Sequence, residues 1–583
     1  MNVAAQKIAP TLAEAQEFMD QAEPRLADLN LKMQRACWVQ ENFITDDTQA
    51  MAADAIEQNT AVTTQLVAQA RRFDGLSLPA GLARKFLLLK LSLHAPAPNQ
   101  AALRREMTEI GVALDADYGK GKYYRKNGEC LDLAAIEKIM SSSRNPEELK
   151  EVWLGWHAIA PPMRQRYSRF VELSNQGARE IGFKDTGALW RSGYDMTPEE
   201  FSAELERLWN QVKPLYLSLH TFVRSKLTEK YGPRIVPPCG PIPAHLLGNL
   251  WAQVWRNIYD LLGVQEDHAA VNLTELLKKK NLDATAMVKY AEAFFTSMGF
   301  APLPPTFWER SLFTKPADRD VVCHASAWDL DNFDDLRVKM CIQINGTDFV
   351  TIHHELGHNF YQRAYKHQPY LFKSGANDGF HEAIGDAIAL AITPEYLHKI
   401  GLLETTPRPG NDIPELLKQA LDRIAFLPFG LMIDQWRWKV LSGEIAPADY
   451  NQAWWALRLQ YQGVAPPLER TEADFDPGAK YHVAANVPYT RYFLAHILEF
   501  QFYRALCRES GHHGPLHRCT FYGSKAAGAK FNQMLALGQS QPWPDALEVL
   551  TGERQISATA ILEYFAPLKE WLDEQNQGKK VGW

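Results

Sequence analysis

The stretch Thr351-Ile352-His353-His354-Glu355-Leu356-Gly357-His358-Asn359-Phe360 limits what this chain can fold into more than any other. Its His-Glu-x-x-His spacing has a chemical meaning on a helix, where His354 and His358 lie one turn apart on one face. Two imidazoles so placed can hold a zinc ion, and Glu355, about 100° round the helix from His354, can serve as general base. A tetrahedral zinc with one open position needs a third protein ligand. The segment Gly379-Phe380-His381-Glu382-Ala383-Ile384-Gly385-Asp386-Ala387-Ile388-Ala389-Leu390 supplies it in Glu382, 24 residues after His358, on a second helix that stops before Pro394. Asp386, one turn further on, can accept a hydrogen bond from the second ring nitrogen of a ligand histidine. With 17 histidines in the chain, the motif alone arises by chance in roughly a few per cent of such sequences. The acidic helix downstream makes coincidence much rarer. Two helices must therefore lie side by side.

The rest of the chain reads as a helical scaffold for that pair. Phe18, Ala22, Leu26, Leu29 and Met33 recur at helical spacing in the stretch up to about Asn59. From Leu76 to about His157 the pattern stays helical, broken by Pro79, Pro96, Pro98 and the turn Gly119-Lys120-Gly121-Lys122. That turn has the composition of a phosphate loop without its order, and reads as a solvated loop. Residues 166–230 are helical again, with Thr197-Pro198-Glu199-Glu200 as a helix start. Pro233, Pro237, Pro238, Pro241 and Pro243 mark an extended loop, and a buried aromatic-rich helix is expected around Leu250–Leu262. Val321–Trp328 and Val338–Ile344 predict a short pair of strands just before the motif helix. No period of 20–50 residues recurs. The expectation is a mainly α protein, with 1–583 as one catalytic domain.

Composition narrows function. A net charge of −7 argues against nucleic-acid or anionic-membrane binding, and no apolar run reaches membrane-spanning length. Met1-Asn2-Val3-Ala4-Ala5-Gln6-Lys7 lacks the apolar core of a leader, so the chain is either cytoplasmic or has had its leader removed. Seven cysteines leave at least one unpaired. Cys323 with Cys341, and Cys507 with Cys519, are spaced to close short loops, but spacing alone leaves thiols and disulfides both open.

The two motifs, with His245-Leu246-Leu247-Gly248-Asn249, Val322-Cys323-His324-Ala325-Ser326-Ala327-Trp328-Asp329, Asp434-Gln435-Trp436-Arg437-Trp438 and Asp476-Pro477-Gly478-Ala479-Lys480, closely resemble the angiotensin-converting-enzyme family of zinc peptidases. The likeness runs from about Pro161 to Trp583 and weakens before residue 160. It implies a large helical ellipsoid divided by a deep active-site channel, a small β element beside the zinc helix, and a helical lid over about residues 1–100. It further implies Zn2+ on His354, His358 and Glu382, with Asp386 behind them and Glu355 as general base and acid. His482 and Tyr492 are the implied donors to the developing oxyanion, and Asn486 with Pro488 reads as the start of a helix on which Tyr489 and Tyr492 share a face. Gln253, Lys480 and Tyr489 are implied to hold the substrate's C-terminal carboxylate, and His324 and Ala325 its backbone. Because a related single-residue carboxypeptidase has arginine where this chain has Gln253, the expected reaction is removal of C-terminal dipeptides from oligopeptides. Release of single residues, and a silent peptide-binding protein, are the alternatives. Chloride is an implied activator, at Arg191, Trp454 and Arg458 and again at Tyr231 with Arg491. The two close cysteine pairs coincide with family disulfides, which points to a periplasmic or secreted protein. A third family disulfide is not expected, since Tyr123 and Tyr124 stand where a partner for Cys130 would be. With the chain ending at Trp583, neither the doubled domain nor the membrane stalk of the animal enzyme is expected.

Overall fold

The computed structural model describes residues 9–265, 271–406 and 412–583, so the leader reading of residues 1–7 lies outside the described residues. The first helix, Leu12–Asn42, starts at a capping box in which Thr11 accepts from Glu14 N–H and the Glu14 side chain reaches back. Ala15, Met19, Ala22 and Leu26 form its buried stripe. They meet Leu66 and Val67 of Asp46–Ala70 and Phe86 and Leu89 of Ala80–Leu91 in a small core of their own, joined by Ile181 and Leu189. Most of the other buried apolar residues form one continuous cluster from Met107 to Leu572. Its largest members include Trp153, Trp156, Trp209, Trp255, Trp436 and Trp454, each fully buried.

Helices dominate the described residues, as the periodicity implied. Pro198–Tyr231 begins where Thr197 caps it, with Pro198 in the first turn. The long helix Ile413–Ser442 is apolar on nearly every side and runs through the core. Among the described residues no helix is long and apolar enough to cross a membrane.

Four local expectations are corrected. The strands before the motif helix are Ser326–Asp329 and Leu336–Lys339, antiparallel, with Ser326 opposite Lys339 and Asp329 opposite Leu336. Residues 340–342 bond to Leu312 and Phe313 instead of extending that ladder. The helix expected over Leu250–Leu262 is only a 3-10 stretch, Arg256–Leu262. Ala252 adopts φ 52°, outside the helical region, and the Asn249 side chain ties down the Trp251 and Gln253 N–H groups. The helix after Pro488 starts at Thr490, because Asn486 is left-handed and the buried Asp434 carboxylate accepts from the N–H groups of Tyr489 and Thr490. Finally, Lys122 ends the basic turn and begins a hairpin, Lys122–Tyr124 against Cys130–Asp132. Cys323–Cys341 and Cys507–Cys519 are bonded, while Cys37, Cys130 and Cys239 are free.

Candidate metal centre and active site

The motif occupies the helix Gly346–Ala364, and Glu382 the helix Asp378–Leu390, each capped by an asparagine, Asn345 and Asn377. The two helices meet at glycines. A Cβ on Gly357 would stand 2.9 Å from the Gly385 Cα, and one on Gly385 would stand 2.6 Å from His354 Nδ1. Only bare backbone at both positions lets the helices come this close.

That approach brings the three expected ligands together. His354 Nε2 lies 3.1 Å from His358 Nε2 and 3.6 Å from Glu382 Oε2. Ligand atoms around a tetrahedral zinc stand ~3.3 Å apart, given bonds of about 2.0–2.1 Å. The donor set therefore fits zinc in both chemistry and spacing. Among the described residues it is the one group of this kind. The other ring nitrogens point away. His354 Nδ1 donates to Asp386 Oδ1 at 3.2 Å, and His358 Nδ1 lies 3.3 Å from His381, which in turn meets the Tyr365 hydroxyl. Burial would raise the Asp386 carboxyl, but Arg423 and His354 beside it hold it far below the usual carboxylate range.

Glu355 is buried, which raises its carboxyl, and it faces the strand at Ala327 with His324 nearby. The His324 carbonyl is held by Lys339 Nζ at 3.0 Å, and the His324 ring turns onto the Ala325 carbonyl. The rings of His482 and Tyr492 lie 5.7 Å apart, and Glu382 is among the charges acting on Tyr492. His482 Nδ1 is buried without a partner, and burial depresses this imidazole to about 3, so it is neutral at pH 7. Arg437, bound to Asp434, donates to the His482 carbonyl, so one buried pair orients His482, Tyr489 and the start of the tyrosine helix.

Lys480 Nζ donates to Gln253 Oε1 at 2.8 Å, and the Tyr489 hydroxyl reaches the same oxygen at 3.5 Å. Lys480 is 5% exposed and stands 4.1 Å from the Trp251 ring centroid. The Trp156 and Trp251 indoles both donate to the Ala479 carbonyl just before it. Burial lowers the Lys480 ammonium to about 7.

The expected anion sites come together only in part. Arg458 is buried among Phe429, Trp454 and Trp455 and donates to the Trp251 carbonyl, while its Nε has no partner. Arg191 does not join it. It lies over Trp438 and donates to Gly187, Pro198 and Ser202. Tyr231 and Arg491 also part: Tyr231 has Arg144 and Asp260 as charged neighbours, whereas Arg491 pairs with Asp378 at 3.4 Å beside Tyr194. The sequence reading missed His381, Lys339, Arg423 and Glu499. His381 and Lys339 stood inside quoted or predicted segments, but nothing in the spacing of Arg423 and Glu499 marked them.

Known proteins resemble this chain in sequence over most of its length. A family model described as angiotensin-converting enzyme matches residues 9–583. The chain belongs to that family. The angiotensin-converting enzyme of Rattus norvegicus is 43% identical over 98% of this chain and 44% of its own length. That of Bos taurus is 49% identical over 84% of this chain and 38% of its own. That of Theromyzon tessulatum is 45% identical over 81% of this chain and 77% of its own. The chain thus spans less than half the length of the mammalian relatives. The family is zinc-dependent, and the His354–His358–Glu382 cluster is where this member would hold the ion.

Proposed function

We propose that the protein is a zinc peptidyl-dipeptidase that releases C-terminal dipeptides from oligopeptides. One observation carries the substrate side of this reading: Lys480 is a buried ammonium that forms no ion pair among the described residues and is turned onto Gln253 beside Tyr489. Glu137 acts on it only from a distance, without a salt bridge, and a substrate carboxylate would supply a direct partner for the buried charge. Gln253, smaller than arginine and uncharged, leaves room for two residues between that anchor and the reacting carbonyl.

His354, His358 and Glu382 would hold zinc, which supplies Lewis-acid polarisation of the peptide carbonyl and an acidified water. Glu355, buried beside the ligands, takes the water's proton and returns it to the leaving amine. Tyr492 and neutral His482 donate to the oxygen on which negative charge develops. Losing such a donor typically costs on the order of 100-fold in rate. His324 and Ala325, just before the strand Ser326–Asp329, align the substrate backbone by strand addition. The three N-terminal helices, with a small core of their own, would act as a lid over the site. Two disulfides support a periplasmic or secreted setting.

The test is product mass. An N-blocked decapeptide should lose successive dipeptides, and chelator should stop this. Release of single residues, or chelator-resistant cleavage, would reject the proposal.

A further inference from the structure

The two imidazoles of the metal cluster have unlike partners behind them. His354 Nδ1 meets the Asp386 carboxylate, whereas His358 Nδ1 meets another ring nitrogen, Nδ1 of His381, at 3.3 Å. The Nε2 atoms of His354 and His358 converge to 3.1 Å, so these are the nitrogens whose lone pairs face the ion. A neutral imidazole that gives one nitrogen to a metal carries its hydrogen on the other. His358 Nδ1 is therefore a donor, and His381 Nδ1 can only accept. The hydrogen of His381 must then sit on Nε2, which lies 3.3 Å from the Tyr365 hydroxyl. One hydrogen-bond direction thus runs from His358 through His381 to Tyr365.

The His381 ring is held in that orientation. Tyr361, one turn before Tyr365, lies against it with ring centroids 4.4 Å apart, and both tyrosines are buried. The Tyr361 hydroxyl accepts from the Ala376 N–H at 3.1 Å, which fixes its own ring. A Cβ on Gly375 would stand 3.1 Å from His381 Cδ2, so bare backbone there leaves the imidazole its place. A ligand histidine ordinarily donates its second N–H to a carboxylate, a backbone carbonyl or water. Here a neutral imidazole fills that position. It can orient His358 without adding negative charge beside an ion that is to act as a Lewis acid.

We propose that His381 is a positioning residue for the metal centre: its Nδ1 accepts from His358, and Tyr365 fixes the tautomer that leaves this nitrogen free to do so. The inference rests on reading His354, His358 and Glu382 as zinc ligands. An asparagine amide can stand close to where Nδ1 of a histidine would be, and a glutamine amide close to Nε2. His381→Asn therefore keeps an acceptor for His358 and should bind Zn2+ within about threefold of the parent. His381→Gln reaches Tyr365 instead of His358, and should lose roughly 10–100-fold in affinity, as should His381→Leu, the usual effect of removing an outer partner of a ligand. A ring that only fills space predicts the reverse order, since glutamine replaces more of its volume than asparagine. Tyr365→Phe removes one hydroxyl, lets the tautomer change and should weaken Zn2+ binding several-fold.

The experiment is competition for Zn2+ between the protein and a chromophoric chelator, with no peptide present and with the fold of each metal-free variant checked by circular dichroism. Near-parent binding by His381→Asn with weak binding by His381→Gln and His381→Leu supports the proposal. Binding by His381→Gln equal to or tighter than that of His381→Asn overturns it. If His381→Asn does not fold, Tyr365→Phe decides: weaker binding supports the proposal, and parent-like binding overturns it. The two readings fail separately. The expected order of Zn2+ affinities without dipeptide release rejects the peptidase reading alone, and Zn2+ binding indifferent to every His381 variant rejects this one alone.

Discussion

Glu355 and Lys480 are both buried titratable groups, and the role proposed for each has its own test. Glu355 is no ligand, so Glu355→Gln should retain zinc and lose nearly all hydrolysis; a variant keeping more than about a tenth of the parent kcat would remove it as general base. For Lys480 the sign follows from burial. Its folded value, about 7, lies below the ordinary 10.5, so the folded protein holds fewer protons than the unfolded one between those limits. The cost of burying the charge is full below pH 7 and fades as pH rises towards 10.5. Lys480→Met should accordingly raise the melting temperature at pH 7 while weakening the grip on free-acid peptides. Because the charged form binds the carboxylate, kcat/KM on such peptides should fall as pH rises through about 7 relative to C-terminally amidated ones. Amidation itself should lower kcat/KM by at least roughly tenfold, the value of a buried charge-assisted bond. A pH profile identical for acid and amide would show that Lys480 does not read the C-terminus.

At the scale of elements, the site is a contact between two helices set by what is missing from them. Gly357 and Gly385 let the backbones touch, and Gly385 also leaves the space that the His354 ring fills. Gly385→Ala places a methyl 2.6 Å from His354 Nδ1, and overpacking of this kind costs about 1–3 kcal/mol. The ring must turn away from Asp386, so zinc affinity should drop at least tenfold by chelator competition. Unchanged affinity would mean the helices can slide apart freely. Both helices were legible from the motif and from the 3.6-residue period, as was the start of Pro198–Tyr231 at Thr197. The strands were legible as a pair but not in extent, because residues 340–342 take their partners from Leu312 and Phe313, far away in sequence. The aromatic run over Leu250–Leu262 carries helical composition, yet the turn at Ala252 and Asn249 overrides it and brings Gln253 beside Lys480.

For the whole molecule, distant segments converge on one site, and anion response tests that convergence. Arg458, buried with a free Nε and held to about 9 by burial, is the arginine best placed to take chloride. Activity should rise when chloride replaces acetate at constant ionic strength, Arg458→Gln should abolish the rise, and Arg191→Gln should leave it intact. A flat response in the parent would dismiss chloride activation, and a response lost with Arg191 instead would restore the original grouping.

The mainly helical class and the His354–His358–Glu382 cluster were readable from the sequence, whereas the proposed carboxylate pocket came only from the family resemblance. The first two rest on residue types at a local period or in a motif, which survive without coordinates. Which arginines stand together was not readable, as Arg191 and Tyr231 show. Nor was the pairing of Arg423 with Glu499, or the capping of Tyr489 and Thr490 by Asp434. Those pairings join residues 55 to 76 positions apart. A charged side chain has no period that names its partner. Only the packing of helices against one another decides which opposite charge it meets, and at what distance.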